Sequence, residues 1–427
     1  MTVYPTYKDS GIEWQGQIPA HWDETLFFSV AKLKNQTGYI EEDLLSVYLD
    51  KGVIRTIDSD GKQVHKPSED LSKYQLVDIG DFVMNNQQCW RGSVGVSSFR
   101  GIVSPAYHVF ELSSSLNYRY ANYLLRDQYM VGQYKVASKG VGSIQQILYF
   151  PWFKKCLCLI PPQEEQRQIV AYLDYKSNKI DERICQRERE LQTLSELKQA
   201  EIAAVVTRGL DPNVPMKESG IEWLGKIPAH WEVRKIKNCL QERSEKGYPN
   251  EPILCATQSR GVIPQDMYDN RVVVVNKDFD KLKLVKCGDF VISLRSFQGG
   301  IEYAYYQGII SAAYTILTPK DKRNSEYFKH LFKSHDFIQL LQTCVTGIRE
   351  GQNINYAMLA KHFIPIPPIE EQQKIVLYIK NRLYVIDEYI SKLKAEINYL
   401  QEYKQRLISD VVTGKVDVRG VEIPNEE

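Results

Sequence analysis

"SGIEWLGKIPAHWE" (residues 219–232) repeats almost unchanged a phrase near the start of the chain, "SGIEWQGQIPAHWD" (residues 10–23). Eleven of the fourteen letters agree, and every matching residue is displaced by 209 positions. A match of this length at a single offset predicts that the chain contains two copies of one larger unit.

The repeat extends through the rest of the chain. Further matching pairs are "GDFV" at 80–83 and 288–291, "IPPQEEQ" at 160–166 with "IPPIEEQ" at 366–372, and "VVT" at 205–207 and 411–413. The offset falls only from 209 to 206, which indicates a tandem duplication with small deletions rather than a short-period solenoid. Between these phrases the copies agree only at scattered positions. We therefore expect two modules that share a scaffold and carry different surfaces.

Length and composition define the class of protein. A chain of 427 residues suits two or more domains, and 43% hydrophobic with 25% charged residues is typical of a folded soluble protein. No run approaches the roughly 20 apolar residues of a membrane span, and the N-terminus lacks the features of a signal peptide. The eight cysteines are scattered without a CxxC pair. We expect free thiols and a cytoplasmic location.

Two stretches without Pro or Gly, 164–206 and 370–412, predict the longest helices. Each begins with a Glu-Glu pair, which suits the positive end of a helix dipole, and would extend roughly 60 Å. A helix of that length cannot bury its apolar stripe alone, so we predict that the two pack as a coiled coil; two helices on separate cores are the alternative. The stripes consist of Ile169, Leu173, Ile180, Ile184, Leu191, Leu194 and Leu197, and of Ile379, Leu383, Ile386, Ile390, Leu393, Ile397, Leu400 and Leu407.

The segments at about 23–160 and 232–366 have a different pattern. Short runs rich in β-branched and aromatic residues predict strands, and helical patches occur near 116–130 and 324–342. The strand runs include "CLCLIP" (156–161), "RVVVVN" (271–276) and "GDFVIS" (288–293). Each segment is therefore predicted to form a mixed α/β module.

Catalytic signatures are missing from the sequence. It contains no GxxxxGK[ST], HExxH or GxSxG pattern, no Asn/Asp-Pro-Pro-Tyr phrase of the adenine-methylase type, and no clustered metal ligands. His21 and His230 lie in the repeated phrase, where a packed, hydrogen-bonded histidine is more common than a catalytic one. We expect that the chain alone catalyses no reaction and binds no cofactor or metal.

The charge is nearly balanced overall but unevenly distributed. The net charge of +1 argues against a protein that wraps DNA through phosphate contacts alone. Residues 82–162, however, contain eight basic and two acidic residues, whereas residues 23–81 contain seven and twelve. Residues 290–366 contain eight basic and five acidic residues. This distribution predicts a basic face on each module.

Two loops in each module contain residue types that can recognise bases. They are "NNQQCWRGS" (85–93) and "SKGVGSIQQI" (138–147) in the first module, and "SLRSFQGG" (293–300) and "TGIREGQNI" (346–354) in the second. Arginine can bind guanine, and Gln or Asn can bind adenine, through two hydrogen bonds. The alternative is that these are ordinary polar loops. The candidate DNA-binding residues are Gln87, Gln88, Arg91, Lys139, Ser143, Gln145, Gln146, Arg295, Ser296, Gln298, Arg349, Gln352 and Asn353.

Taken together, these phrases resemble the specificity subunits of type I restriction-modification systems, over essentially the whole chain. The resemblance is carried by the doubled "GIEWxGxIPAHW", by "GDFV" followed by an Arg/Gln/Gly loop, and by "PPxEEQ" before each long helix. It implies two target recognition domains, each of which binds half of a bipartite double-stranded DNA sequence. It also implies that the long helices form an antiparallel coiled coil that sets the spacing between the halves.

The resemblance further implies that catalysis belongs to partners. Two modification subunits, which bind S-adenosylmethionine, would methylate adenine, and two restriction subunits would use ATP and Mg. A fused restriction-methylation enzyme is disfavoured by the missing motifs. A non-catalytic coiled-coil scaffold without base-specific recognition remains the alternative.

The predicted fold class is α+β, with a pseudo-twofold internal repeat. The second phrase follows the first long helix directly, whereas the second helix is near the end of the chain. We therefore expect the N-terminal copy to pack at the end of the second helix, with Trp14 and Trp223 in equivalent places. The predicted divisions are 1–162 (N-terminal segment and first recognition domain), 163–207 (first helix), 208–368 (linker and second recognition domain) and 369–427 (second helix and C-terminal segment).

Overall fold

The fold is given by a computed structural model, which describes residues 2–11, 16–59, 68–141, 145–268, 279–346 and 353–424. The chain divides into two compact units. Unit 1 comprises Met1–Arg187 and Ala395–Glu427, and unit 2 comprises Glu188–Lys394. Because these boundaries fall within the long helices, each helix contributes one part to each unit.

The first half of the chain contains fourteen described strands and ends in a long helix. The strands are β1 (Tyr7–Asp9), β2 (Gln17–Pro19), β3 (Asp23–Leu26), β4 (Ala31–Lys34), β5 (Leu45–Tyr48), β6 (Gly52–Arg55), β7 (Gln75–Val77), β8 (Phe82–Asn85), β9 (Val94–Val96), β10 (Gly101–Val103), β11 (Tyr107–Leu112), β12 (Ser138–Val141), β13 (Gln145–Leu148) and β14 (Leu157–Ile160). The helices are α1 (Phe27–Val30), α2 (Tyr118–Arg126), α3 (Gln128–Val136), α4 (Phe150–Phe153) and α5 (Gln163–Arg208).

The second half repeats this order among its described residues. The strands are β15 (Met216–Glu218), β16 (Lys226–Pro228), β17 (Glu232–Lys235), β18 (Leu240–Arg243), β19 (Leu254–Thr257), β20 (Gly261–Pro264), β21 (Lys283–Val285), β22 (Phe290–Ile292), β23 (Glu302–Tyr303), β24 (Gly308–Ile310), β25 (Thr315–Pro319), β26 (Val345–Thr346), β27 (Asn353–Ile354) and β28 (Phe363–Ile366). The helices are α6 (Ile236–Cys239), α7 (Ser296–Gly299), α8 (Ser325–Leu331), α9 (His335–Thr343), α10 (Tyr356–Leu359) and α11 (Ile369–Val412).

The two units have the same sheet topology. The four-stranded sheet has the order β4-β11-β8-β9 in unit 1 and β18-β25-β22-β23 in unit 2, and all neighbours are antiparallel. Two-stranded pairs complete each unit, including β12 with β13 and β26 with β27. The expected mixed modules and the strands within "CLCLIP" and "GDFVIS" are therefore confirmed, whereas the predicted strand at 271–276 lies outside the described residues.

The aspartate of the repeated "GDFV" phrase connects a turn to a neighbouring strand. Asp81 accepts hydrogen bonds from the backbone N of Asp78 (2.7 Å) and from Lys34 Nζ on β4 (2.6 Å). In unit 2, Asp289 forms an ion pair with Arg243 on β18 (3.2 Å). Both aspartates are buried, and burial raises the pKa of Asp81, although the Lys34 ammonium opposes this shift. The repeated aspartate is therefore a structural residue.

Within unit 1, α5 packs antiparallel against the C-terminal part of α11. Lys404 Nζ donates to Asp181 (2.6 Å), and Arg187 Nε donates to Glu396 (3.0 Å), so the partner number falls as the number along α5 rises. Leu173 on α5 and Leu407 on α11 belong to one buried apolar cluster.

Unit 2 contains the equivalent helix pair. Lys198 pairs with Asp387, and Arg382 Nε donates to Glu201 (2.8 Å), again in antiparallel order. Val206 and Ile379 share a buried cluster. The predicted antiparallel coiled coil is confirmed within each unit, and its helices extend at most two residues beyond the predicted limits. One predicted seam residue differs, because the side chain of Leu197 is 42% exposed.

The His-Trp pair of the first phrase holds the first turn of α5. The carboxylate of Glu165 accepts hydrogen bonds from Trp22 Nε1 (2.9 Å) and from the Tyr4 hydroxyl (2.6 Å), and it lies 2.7 Å from His21 Nε2. Trp22, Tyr4 and Glu165 are all buried. The second glutamate of "PPxEEQ" is thus the residue that the repeated phrase binds.

Unit 2 repeats this contact in a simpler form. His230 Nε2 lies 2.7 Å from the carboxylate of Glu371 at the start of α11. The indole Nε1 of Trp231 is buried and has no hydrogen-bond partner within the described part of the chain. Trp223 packs edge-on against Phe337, with ring centroids 5.8 Å apart, while Trp14 lies outside the described residues.

N-terminal residues cover the end of α11 within unit 1. The backbone N of Asp417 donates to Thr2 O (2.9 Å). This contact agrees with the expectation that the N-terminal copy of the repeated phrase packs at the end of the second long helix. Gly414 lies in the turn two residues after α11 with φ 74°, and a Cβ at this position would overlap the ring of Pro19. Gly209 has the same left-handed conformation at the end of α5 (φ 79°). Glycine is required here because side chains strain this conformation.

Candidate nucleic-acid interface

The first candidate loop of unit 1 follows β8 and forms a short turn of helix. Asn85 Oδ1 accepts from the backbone N of Gln87 (3.0 Å), and the Trp90 indole donates to Gln87 O (3.0 Å). Cys89 is fully buried and anchors the turn. Its neighbour Arg91 is exposed, with its guanidinium 4.5 Å from the Trp90 ring centroid. The loop therefore presents an arginine supported by an aromatic ring.

The second candidate loop of unit 1 is a β-hairpin. Strand β12 pairs with β13, so that Lys139 lies opposite Ile147. The backbone N of Leu148 donates to Asn86 O (3.3 Å), which joins this hairpin to the first loop. Gln146 is partly buried, whereas the side chain of Gln145 and all of Ser143 lie outside the described residues. The two loops predicted from sequence are thus brought together.

Lys139 lies among exposed aromatic rings. Its Nζ is 3.7 Å from the ring centroid of Tyr149 and 4.2 Å from that of Trp152. The two rings pack edge-on, and their side chains are 39% and 43% exposed. These aromatics are not among the residues predicted from sequence to bind DNA, although "LYFPWFKK" (148–155) places four aromatic residues next to two lysines. Aromatic faces beside cations are suited to contacts with nucleobases and sugars.

In unit 2 the first candidate loop contains helix α7. Arg295, immediately before it, and Gln298 within it are both exposed. Ser296 differs, because it is only 1% exposed and its hydroxyl accepts from the backbone N of Ser293 (2.9 Å). Ser296 therefore stabilises the loop and is not placed to contact DNA.

The second candidate loop of unit 2 is described only at its ends. Asn353 on β27 is exposed and pairs with Thr346 on β26, and β27 contacts α7. Arg349 and Gln352 lie outside the described residues. The described end of this loop at β27 therefore lies beside α7 of the first loop.

Comparison with known proteins shows what this chain resembles. Residues 228–399 match the family model described as the type I restriction modification DNA specificity domain. A Methanocaldococcus jannaschii protein, provisionally named type I restriction enzyme MjaX specificity subunit, is 25% identical over 368 residues, which are 82% of this chain and 81% of that protein. The chain therefore resembles the type I restriction modification DNA specificity domain over residues 228–399, and it is similar to a type I specificity subunit over most of its length.

Two further matches agree with this family. The type I restriction enzyme MjaVIII specificity subunit of the same organism is 22% identical over 383 residues, covering 82% of this chain and 84% of the relative. A solved structure, described as a basis for complex assembly and conformational transition of the type I R-M system, matches with a TM-score of 0.64 at 16% identity. It covers 93% of this chain and 99% of that one, and it supports the fold.

Two further structural features of this chain concern membranes and metals. None of the described helices is long and apolar enough to cross a membrane. Over the same described ranges, no group of three or more His, Cys, Asp or Glu side chains is placed to hold a metal ion.

Proposed function

We propose that this chain recognises a bipartite double-stranded DNA sequence, with one half-site bound by the recognition module of each unit. The observation that carries the proposal is the pairing of one repeated scaffold with two different candidate surfaces. The sheet order is the same in both units, whereas Trp90-Arg91 in unit 1 and Arg295 with Gln298 in unit 2 present different side chains.

The chemistry of each surface suits base contacts in the major groove. Arg91 and Arg295 can each donate two hydrogen bonds to guanine, and Gln298 can bind adenine through its amide. The exposed lysines beside these loops, including Lys139 and Lys154, suit phosphate contacts, which orient a protein on DNA without selecting sequence. The modest net charge fits a chain that shares phosphate contacts with partner subunits.

The long helices supply a natural spacer between the half-sites. In each unit the two helices are joined by ion pairs and a buried apolar seam. A paired helix is stiff compared with a flexible linker, so its length fixes a distance. We propose that this length sets the number of base pairs between the half-sites.

We further propose that the chain is not itself an enzyme and binds no cofactor. Two modification subunits with S-adenosylmethionine would methylate adenine, and two ATP- and Mg-dependent restriction subunits would cleave DNA. The family resemblance supports these partners, and the missing catalytic motifs support the assignment of catalysis to the partner subunits. A scaffold without base recognition is the competing function.

The test uses the full chain assembled with its modification subunits and a sequencing readout of methylated sites. Arg91→Ala should relax one position in one half-site, and Arg295→Ala should relax one position in the other. Each loss should reduce discrimination by about 1–3 kcal/mol at that position. If both variants altered the same half-site, the assignment of one half-site to each unit would be wrong.

A matched variant separates base contacts from phosphate contacts. Lys154→Ala removes an exposed lysine two residues after Trp152, the ring that Lys139 contacts. If this lysine contacts only phosphate, methylation should weaken equally on all sequences and the salt dependence should decrease. The scaffold alternative instead predicts that no variant changes the set of methylated sequences.

A further inference from the structure

One lysine in unit 2 connects three separate segments beside the candidate interface. Lys333 Nζ donates to Gly299 O at the end of α7 (2.8 Å) and to Glu302 Oε1 on β23 (2.6 Å). It also donates to Gln258 O in the turn between β19 and β20 (3.3 Å). This ammonium group therefore ties the turn to α7 and β23.

The β19–β20 turn places a polar side chain against α7. Thr257 Oγ1 donates to Gly261 O (2.9 Å), which closes the turn, and Gly261 has a left-handed φ of 73°. Gln258 is exposed at the tip of the turn. A Cβ at Gly299 would lie 3.1 Å from the amide carbon of Gln258, so the glutamine side chain packs directly on the end of α7.

Unit 1 has an equivalent brace with different side chains on the turn. Arg126 corresponds to Lys333, and its Nη2 donates to Leu49 O (3.3 Å) and Asp50 O (2.7 Å) in the β5–β6 turn. Leu49 occupies the position that corresponds to Gln258, at the offset of 209 residues. Both units thus keep a basic residue that holds the turn. The residue at the tip of the turn differs, since it is Leu49 in unit 1 and Gln258 in unit 2.

We propose that the β19–β20 turn is part of the DNA-recognition surface of unit 2, with Gln258 as a base-contacting side chain and Lys333 as the positioning residue. A glutamine amide can both donate to and accept from adenine. This inference rests on the proposed function of unit 2. It adds a third segment to the two loops that the sequence patterns selected.

The electrostatic setting explains why a cation is needed at position 333. Glu302 is 1% exposed, and burial raises its pKa to about 7, although the Lys333 ammonium opposes the rise. A neutral side chain at 333 would leave this carboxylate without its cation and would free both backbone carbonyls. Arginine retains the charge and several donors, as Arg126 does in unit 1.

The experiment measures methylated sites for the full chain assembled with its modification subunits. Gln258→Ala should reduce discrimination roughly 10- to 100-fold at one position of the half-site that Arg295→Ala alters. Gln241→Ala, which removes an exposed glutamine on β18, is the matched control and should leave every position unchanged.

The positioning role has its own readout. Lys333→Met should lower discrimination both at the Gln258 position and at the position assigned to Arg295, whereas Lys333→Arg should restore both. If Lys333→Arg behaved like Lys333→Met while melting at the wild-type temperature, the brace would not position the turn.

The outcomes separate this inference from the proposed function. If Arg295→Ala alters its half-site and Gln258→Ala leaves that half-site unchanged, the turn is not part of the surface and the proposed function stands. A uniform loss on all sequences for Gln258→Ala would also overturn a base contact. If neither variant alters a half-site, the proposed function of unit 2 itself fails.

Discussion

Replacing Glu165 with alanine should destabilise the chain much more than the equivalent change at Glu371. Both glutamates accept a contact from a repeated histidine at the start of a long helix. Only Glu165 also accepts from the buried Tyr4 hydroxyl and Trp22 indole. The two variants therefore differ mainly in two buried donors.

The size of the difference follows from the burial of those donors. Tyr4 is 2% and Trp22 is 0% exposed, so both donors are shielded from bulk water. A buried donor left without an acceptor costs about 1–3 kcal/mol, which gives about 2–6 kcal/mol for the pair. The half-exposed His230–Glu371 contact should contribute about 1 kcal/mol or less.

Urea unfolding of the full chain measures the total loss, and hydrogen exchange locates it. Glu165→Ala should accelerate exchange in the first turns of α5, around residues 166–173. Glu164→Ala is the control, because its side chain is 85% exposed, and it should change stability by no more than about 0.5 kcal/mol. Equal losses for Glu165→Ala and Glu371→Ala would show that the Tyr4 and Trp22 hydrogen bonds do not stabilise the helix start.

Three further predictions concern backbone, charge and thiols. Gly414→Ala should lower the free energy of unfolding by more than about 1 kcal/mol, because φ at this residue is positive and Pro19 occupies the space for a Cβ. Gly420→Ala, where a Cβ would meet open space, should leave the urea midpoint unchanged. Burial raises the pKa of Glu302 from its usual 4.5 to about 7, so the free energy of unfolding should fall as pH rises from 4.5 to about 7. Urea unfolding of Glu302→Gln at several pH values should show a smaller fall over the same range. An aromatic disulfide reagent should modify the exposed Cys185 and Cys287 rapidly, and the six buried cysteines only after unfolding; rapid modification of Cys158 would contradict its burial.

The long helices could be predicted from sequence because their signals are local. The heptad spacing and the absence of Pro and Gly define them, and the structure adds no more than two residues at any end. Antiparallel pairing is a long-range property, and at the sequence level it came from the family resemblance alone.

Parts of the candidate interface could not be predicted, since they depend on contacts between distant residues. Ser296 has the residue type of a DNA contact but turns inward to bind Ser293 N. Lys139 gains its aromatic neighbours only when β12 pairs with β13. Lys333 is 75 residues from Gln258 in sequence, and no local pattern connects them.

The central claim is that two modules recognise two half-sites at a distance set by the paired helices. It is tested most directly by selecting duplexes from a randomised pool with the chain bound to its modification subunits. The selection is then repeated after one heptad has been deleted from each helix, at 188–194 and at the facing residues 389–395. Removing seven residues shortens each helix by about 10 Å while keeping the apolar seam in register. We predict that the wild-type chain selects two half-sites with a fixed spacer, and that the shortened chain selects the same half-sites with a shorter spacer. An unchanged spacer, or altered half-sites in a chain that still folds, would contradict the claim.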